Sequence, residues 1–339
     1  MVRAMNEFWV GIDVSKRKLD VACLDVRDKI KSRVFSNDAA GHAALKSWLA
    51  DRGARIDNTH ICMESTGPYS EPPAIVLADA CWQVSIVNPA RPKAFAETTG
   101  VRNKNDKSDA ALLARFCAKL TPDLWQPPSI EQRKLRGLVD RLQALKDMHL
   151  QESNRLEGPE LLGQDSSIKS INEHLAWLDA RIAELEREID DHIDSNPTLK
   201  RDADLMTTVP GIGTTTVAKV LAYVGDLRRF SSAKALSAFI GVAPRQRQSG
   251  TSIRGRTTIS RVGHAYLRAA LFMPAMVALR YNPSVKAFGE RLGSTGMSRK
   301  AVVAASMHKL VHLLYGVVRS GLPFDPIRAR PRIDIQVSI

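Results

Sequence analysis

The sequence predicts an α/β domain followed by a helix-rich remainder of the chain. Two observations support this fold class. Before about residue 128, short apolar or alternating segments that are typical of strands recur at close spacing. Beyond that point, leucine and isoleucine recur at steps of three and four residues, which is typical of helices. We expect three parts, comprising residues 1–128, 129–200 and 201–330.

The first part holds the strand-like segments. Three candidate strands come first, "FWVGIDV", "KLDVACLDV" and "KSRVFSN". The segment "AAGHAALKSWLA" then has helical spacing, and "HICMES" and "QVSIVNP" are further short strands. Three consecutive strands followed by helices and more strands predict a mixed sheet in an α/β domain.

The second part has the apolar repeat of long helices. Its apolar positions are Leu135, Leu138, Leu142, Leu145, Ile171, Leu175, Leu178, Ile182, Leu185 and Ile189. Residues 157–167 interrupt the repeat, so the pattern leaves three interpretations open. It fits an antiparallel hairpin, an intermolecular coiled coil, or two helices packed on their own domain.

The third part begins with a glycine-containing turn between helical segments. In "TTVPGIGTTTVAKV", the turn is formed by Pro210, Gly211 and Gly213, and the threonines that follow are able to cap the next helix. The pattern resembles a helix-hairpin-helix element, in which backbone N–H groups meet a nucleic-acid phosphate. A plain turn with a glycine cap fits it as well.

The charge of the chain predicts a polyanionic partner. Its 339 residues include 49 Lys and Arg against 36 Asp and Glu, a net charge of +13. No acidic residue lies between Asp226 and Glu290, and a basic segment of this length is typical of phosphate binding. Candidate contacts to nucleic acid in it are Arg245, Arg247, Arg254, Arg256 and Arg261.

Neither a membrane segment nor a metal-thiolate site is predicted. The longest apolar stretch, "AALFMPAMVAL", has about half of the roughly 20 residues that span a bilayer, and no signal-peptide pattern begins the chain, so we expect a cytoplasmic protein. The four cysteines are far apart among apolar neighbours and are expected to be buried thiols. His308 and His312 share a helix face and are expected to be partly buried packing residues.

Four carboxylates form the candidate metal site. Asp13 and Glu64 each end a predicted strand, and Asp106 and Asp109 open a helix three residues apart. Hydrolysis of a phosphodiester by paired Mg²⁺ requires several such oxygen ligands, and this order of elements is that of ribonuclease-H-like nucleases. Two other interpretations stay open. The aspartate pair alone fits helix capping, and "GID" also opens the actin-like ATPase fold, although no second half of that fold is found.

The segment "RQRQSGTSIRG" is predicted to be a basic, glycine-bounded loop. It surrounds Ser249 with arginine and glutamine, and neither a carboxylate nor a histidine lies near enough in sequence to activate the serine. Phosphate binding is therefore the first interpretation of this loop.

Several motifs together resemble a known family. They are "VGIDVSKRKLDV", "CMESTGPY", "VNPARPKAFA", "RNKNDKSDA", "VPGIGTTTV", "FIGVAPRQRQSGTSIRG" and "GHAYLRAAL", and they run from about residue 8 to residue 325. They resemble the insertion-sequence transposases of family one-ten, which are relatives of the pilin-gene invertase.

This resemblance implies a RuvC-like (ribonuclease-H-like) N-terminal domain, a helical coiled-coil segment and a helix-rich C-terminal transposase domain. It implies that Asp13, Glu64, Asp106 and Asp109 are catalytic ligands of Mg²⁺ or Mn²⁺, and that Ser249 forms a covalent phosphoserine link to DNA. It further implies DNA element ends and target DNA as partners, a structured guide RNA from the element, homodimers that pair into tetramers, and association with the nucleoid.

Two other functions remain open from the residues. One is a metal-dependent nuclease that hydrolyses DNA junctions with water and uses Ser249 only as a phosphate contact. The other is a non-catalytic DNA- or RNA-binding protein.

Overall fold

The computed structural model describes residues 6–65, 67–99, 106–245, 248–249, 253–254, 258–260 and 262–327. Only the backbone is described at residues 99, 106–107, 248–249, 253–254 and 258. The chain divides into two compact units between Pro127 and Pro128.

The first unit is a five-stranded mixed sheet with helices, which confirms the predicted α/β class. The strand order is β3-β2-β1-β4-β5; β2 pairs antiparallel with β1 and β3, whereas β4 pairs parallel with β1 and β5. Its elements are β1 (Phe8–Val14), β2 (Lys18–Asp25), β3 (Ile30–Ser36), α1 (Ala39–Ala50), β4 (Thr59–Glu64), α2 (Glu71–Asp79), β5 (Gln83–Val87), α3 (Ala90–Thr99) and α4 (Asp106–Leu120).

Both faces of this sheet are covered. On one face, Val10, Ile12 and Met63 pack in a core with Leu45 of α1 and Leu77 of α2. On the other face, side chains of α4 pack against β1, β2 and β4; this layer contains Ala22, Leu24, Cys62, Leu113, Ala114 and Cys117. Since successive strand residues point to opposite faces, this division fixes which residues of β1 and β4 point toward α4.

The second unit is helix-rich, as predicted. Its helices are α5 (Ile130–Leu162), α6 (Asp165–Asp194), α7 (Pro197–Thr207), α8 (Thr214–Val224), α9 (Ala233–Ile240), α10 (Ala265–Ala270), α11 (Phe272–Tyr281), α12 (Pro283–Ser294) and α13 (Arg299–Ser320). Four short strands lie between α9 and α10, namely β6 (Pro244–Arg245), β7 (Gln248–Ser249), β8 (Ile253–Arg254) and β9 (Thr258–Ile259).

The helices α5 and α6 form an antiparallel hairpin within one chain. Lys146 on α5 pairs with Glu186 on α6 at 2.7 Å, and nearer the turn Glu152 pairs with His174 at 3.2 Å. The helix α5 ends at Gly163, whose φ of 63° is left-handed. The base of the hairpin shares one core with α7, α8 and α13, through Leu135, Val139, Leu142, Ile189 and Ile193.

The helix α13 is the one described helix that is long and apolar enough to cross a membrane. It packs inside the second unit, where Met307, Leu310, Val311 and Leu314 are buried in the core. His308 and His312 lie half-buried on it, as predicted, and burial lowers the pKa of His312 to about 4.

Three of the four cysteines are buried free thiols, as predicted. The prediction is wrong for Cys81, which is exposed. The reason is local. Cys81 lies in the turn between α2 and β5, with a φ of 64°, and therefore outside the helix and strand layers that form the core.

Candidate active site

Asp13 and Glu64 lie side by side at one edge of the sheet. The parallel register pairs Ile12 of β1 with Met63 of β4, so the next residues along the two strands are Asp13 and Glu64. Neighbouring strands are about 4.8 Å apart, so the backbones of Asp13 and Glu64 lie close together. Both residues are half-buried at the carboxyl ends of their strands.

Both carboxylates point toward α4. The pleat places Gly11 and Asp13 on the same face of β1, and Gly11 contacts α4 directly. A Cβ atom on Gly11 would lie 2.0 Å from the Ala110 carbonyl oxygen and 2.4 Å from the Ala114 nitrogen. Only glycine therefore allows α4 to approach the strand this closely.

The first turn of α4 lies over this edge. Ala110 stands over Gly11, whereas the Cys117 thiol donates to the carbonyl oxygen of His60, at 3.6 Å, nearer the amino end of β4. The helix α4 therefore runs opposite to β1 and β4, and its first turn carries Asp106 and Asp109 to the end of the sheet where Asp13 and Glu64 lie. The structure thus brings together the elements that carry all four predicted carboxylates.

Ser249 lies in a short paired strand rather than a plain loop, within the arm, the segment from Gly241 to Gly263. The strand β6 pairs antiparallel with β9, and β7 with β8, where Ser249 is opposite Ile253. Arg245 and Arg254 also lie on the arm, in β6 and β8. The other predicted contacts, Arg247, Arg256 and Arg261, lie outside the described residues.

Two glycines fix the base of this arm. Gly241 ends α9 with a φ of 82°, and Gly263 precedes α10 with a φ of 145°. A Cβ atom on Gly263 would lie 2.5 Å from the Gly241 nitrogen and 2.7 Å from the Phe239 carbonyl oxygen. The His264 amide donates to that same Phe239 oxygen at 2.9 Å, so the two ends of the arm are joined by backbone contact.

His264, beside the arm, is engaged as a helix cap. Its Nδ1 accepts from the Leu267 amide at 3.3 Å, and burial lowers the pKa of the imidazole. The imidazole is therefore neutral near pH 7, and one of its nitrogens is already occupied.

The predicted glycine turn connects α7 and α8. Gly211 has a φ of 99°, and a Cβ atom there would lie 2.8 Å from the Ala278 Cβ, so packing against α11 requires this glycine. Gly213 is the N-cap of α8 and faces open space. The threonines that follow lie inside the first turn of α8 and make no side-chain cap bond, contrary to the capping prediction.

Two family models match the chain. Residues 203–290 match the model described as Transposase IS116/IS110/IS902 family, and residues 10–162 match a transposase model of the IS110 DEDD type. The pilin gene-inverting protein of Moraxella bovis is 36% identical over 323 residues, covering 95% of this chain and 98% of that relative. The chain belongs to the IS116/IS110/IS902 family of transposases. The predicted family resemblance is confirmed.

More distant relatives agree with this assignment. The transposase for the insertion sequence IS1328 of Yersinia enterocolitica is 25% identical, covering 94% of this chain and 99% of that relative. The transposase for IS1111A of Coxiella burnetii is 26% identical, covering 65% of this chain and 68% of that relative. The chain is thus a DNA-binding, DNA-cleaving recombinase with a RuvC-like DEDD transposase domain over residues 10–162.

The donor set of this transposase suits a divalent metal. Carboxylate oxygens are the hard ligands that Mg²⁺ and Mn²⁺ prefer. The structure does not describe the side chain of Asp106. Among the side chains that it does describe, no group of three or more His, Cys, Asp or Glu is arranged so that it could hold a metal ion.

A further carboxylate, which the sequence motifs did not indicate, lies at this edge of the sheet. The antiparallel register of β1 and β2 pairs Asp13 with Asp20, so both side chains point to the same face. The side chain of Asp20 is only 10% exposed and pairs with Lys18 at 3.0 Å. A signal was present in the sequence, since Lys18, Asp20 and Ala22 alternate in "KLDVACLD".

Proposed function

We propose that this transposase cuts DNA at the ends of its own insertion sequence and rejoins the strands to a target, with Ser249 as the nucleophile. One observation carries the proposal. Asp13 and Glu64 are neighbours in register, under the first turn of the helix that bears Asp106 and Asp109. This arrangement suits the binding of Mg²⁺ or Mn²⁺ by the four carboxylates.

The carboxylates and the serine have complementary roles in this scheme. A bound divalent metal supplies Lewis-acid polarisation of the scissile phosphate and favours the ionised serine hydroxyl. The Ser249 oxygen attacks phosphorus, the bond from phosphorus to a deoxyribose oxygen breaks, the serine proton passes to water, and the leaving oxygen takes up a proton. The phosphoserine link then conserves the bond for attack by another DNA strand.

The basic residues hold the nucleic acid. Charge that develops on the phosphorane is neutralised by Arg245, Arg247, Arg254 and Arg256, and the DNA backbone is contacted by Arg261 and by the turn of Gly211 and Gly213. The net charge of +13 supports a structured guide RNA as a second partner.

The scheme divides the active site between the two units. Asp13 belongs to the first unit and Ser249 to the second. We place the two halves of each site on different subunits of a homodimer, with dimers pairing into tetramers on two DNAs. The hairpin of α5 and α6 then acts as a coiled-coil linker, and the protein is nucleoid-associated.

Removal of the metal, or substitution of Asp13, tests whether DNA cleavage depends on the proposed metal site. We expect DNA carrying an element end to be cut only with Mg²⁺ or Mn²⁺, and the Asp13→Asn variant to lose cleavage by about 10³-fold or more, since this ligand positions the reacting phosphate. Asp25→Asn, at the far end of the same strand pair, is the matched control and should cut normally. Full cleavage by Asp13→Asn, or in excess chelator, would refute the metal site.

Inversion of a DNA segment is a second candidate outcome of the same chemistry. It is favoured by the 36% identity to the pilin gene-inverting protein, against 25% and 26% for the two transposases. Amplification across the element junctions distinguishes inversion from transposition, because inversion reverses the segment in place, whereas transposition joins it to a new site.

A further inference from the structure

Three carboxylates lie in a row across three adjacent strands. Asp20 of β2 pairs directly with Asp13 of β1, and Asp13 is the register neighbour of Glu64 on β4. All three side chains point to the face that α4 covers, since the residues that alternate with them, Gly11, Ala22 and Cys62, contact or share the layer of that helix. Of these three carboxylates, only Asp20 is not one of the four that form the DEDD pattern.

Burial of the Asp20 carboxylate at this position has an unfavourable free energy. A buried carboxylate loses hydration and is retained when it is paired or functional. Its partner Lys18 lies two residues earlier on the same face and remains 45% exposed, with the ammonium nitrogen 3.0 Å from a carboxylate oxygen. The row therefore carries a mostly buried carboxylate and a partly exposed ammonium group beside Asp13.

We infer that Asp20 is a positioning residue for the metal-binding carboxylates and that Lys18 is its counter-charge. The inference rests on the proposed function, since it requires a divalent cation to bind at Asp13. The Asp20 carboxylate adds negative potential at the row, and the Lys18 ammonium offsets part of it before a cation arrives. Neither side chain needs to contact the metal.

This role gives the two partners opposite effects. Removal of the Asp20 charge lowers the negative potential beside Asp13 while the Lys18 ammonium stays in place, which disfavours a cation. Removal of the Lys18 charge leaves the row more negative, which favours one. A pair that only stabilises the β1–β2 turn would give effects of the same sign, since either substitution breaks the same ion pair.

The experiment measures Mn²⁺ binding to the full-length protein by calorimetry and by the electron paramagnetic resonance signal of free Mn²⁺. Asp20→Asn should weaken binding by about 3- to 10-fold, because one negative charge near the site is lost. Lys18→Met should tighten it by about 3- to 10-fold, as expected for loss of one partly screened charge near the site.

An exposed ion pair of the second unit provides matched controls. Lys200 and Asp194 are 2.8 Å apart, and neither Lys200→Met nor Asp194→Asn should change Mn²⁺ affinity. Lys18 is exposed enough that Lys18→Met folds, so unchanged or weaker binding by this variant overturns the inference even if Asp20→Asn fails to fold. Absence of Mn²⁺ binding by the wild-type protein would instead refute the metal site of the proposed function, and the inference with it.

Discussion

Mixed oligomers of the Asp13→Asn and Ser249→Ala proteins are expected to cut DNA, although neither variant cuts alone. Each variant keeps one half of the proposed active site. If the carboxylates of one subunit act on the serine of another, a mixed dimer contains one intact site. Random pairing then restores about a quarter of the wild-type sites, because half of the dimers are mixed and each has one good site of two.

The measurement uses two affinity tags, so that only mixed oligomers are purified and assayed for single-strand cleavage. In these purified dimers about half of the wild-type sites should be intact, since each has one good site of two. A mixture of Asp13→Asn with Asp109→Asn is the control, because both substitutions damage the same half and no intact site can form. Purified mixed oligomers of Asp13→Asn and Ser249→Ala that stay inactive would contradict assembly between subunits.

Gly263→Ala is expected to lower strand exchange by about 100-fold, the loss that a displacement of about 1 Å causes in a reacting group. The added Cβ atom would meet backbone atoms of Gly241 and Phe239 at 2.5 to 2.7 Å, in a conformation with a φ of 145°. Because backbone cannot rotate away as a side chain can, the base of the arm that carries Ser249 must shift.

Gly316→Ala provides the matched control for this variant. Gly316 lies on α13 in the same unit, and nothing lies within 4 Å of the position of an added Cβ atom. Mn²⁺ affinity should be unchanged in both variants, since the first unit is untouched. Wild-type strand exchange by Gly263→Ala would show that the glycine contact does not position the arm.

The sequence predicted the first unit well because its strands alternate or are continuously apolar. The register that places Asp13 beside Glu64 could not be read from the sequence, but the strand ends could, and parallel strands share an edge. Asp20 was missed because its significance depends on pairing across the β1–β2 turn. Cys81 was misjudged because burial depends on the turn that contains it.

The second unit shows where local pattern is insufficient. The hairpin of α5 and α6 turns at Gly163, and Pro159 lies inside α5, so the break expected over residues 157–167 is much shorter. The segment around Ser249 has no apolar alternation, yet it forms short antiparallel strands. Its geometry depends on the contact of Gly241 with Gly263, 22 residues apart in the sequence, which no local pattern reveals.

Capture of the protein–DNA adduct tests whether Ser249 is the nucleophile. Wild-type protein is incubated with Mg²⁺ and labelled DNA that carries an element end and a nick that prevents rejoining, then denatured and digested. We expect a nucleotide attached to the peptide containing Ser249, and no adduct with Ser249→Ala. Full strand cleavage by Ser249→Ala without an adduct would contradict this role of Ser249 and show instead a nuclease that uses water.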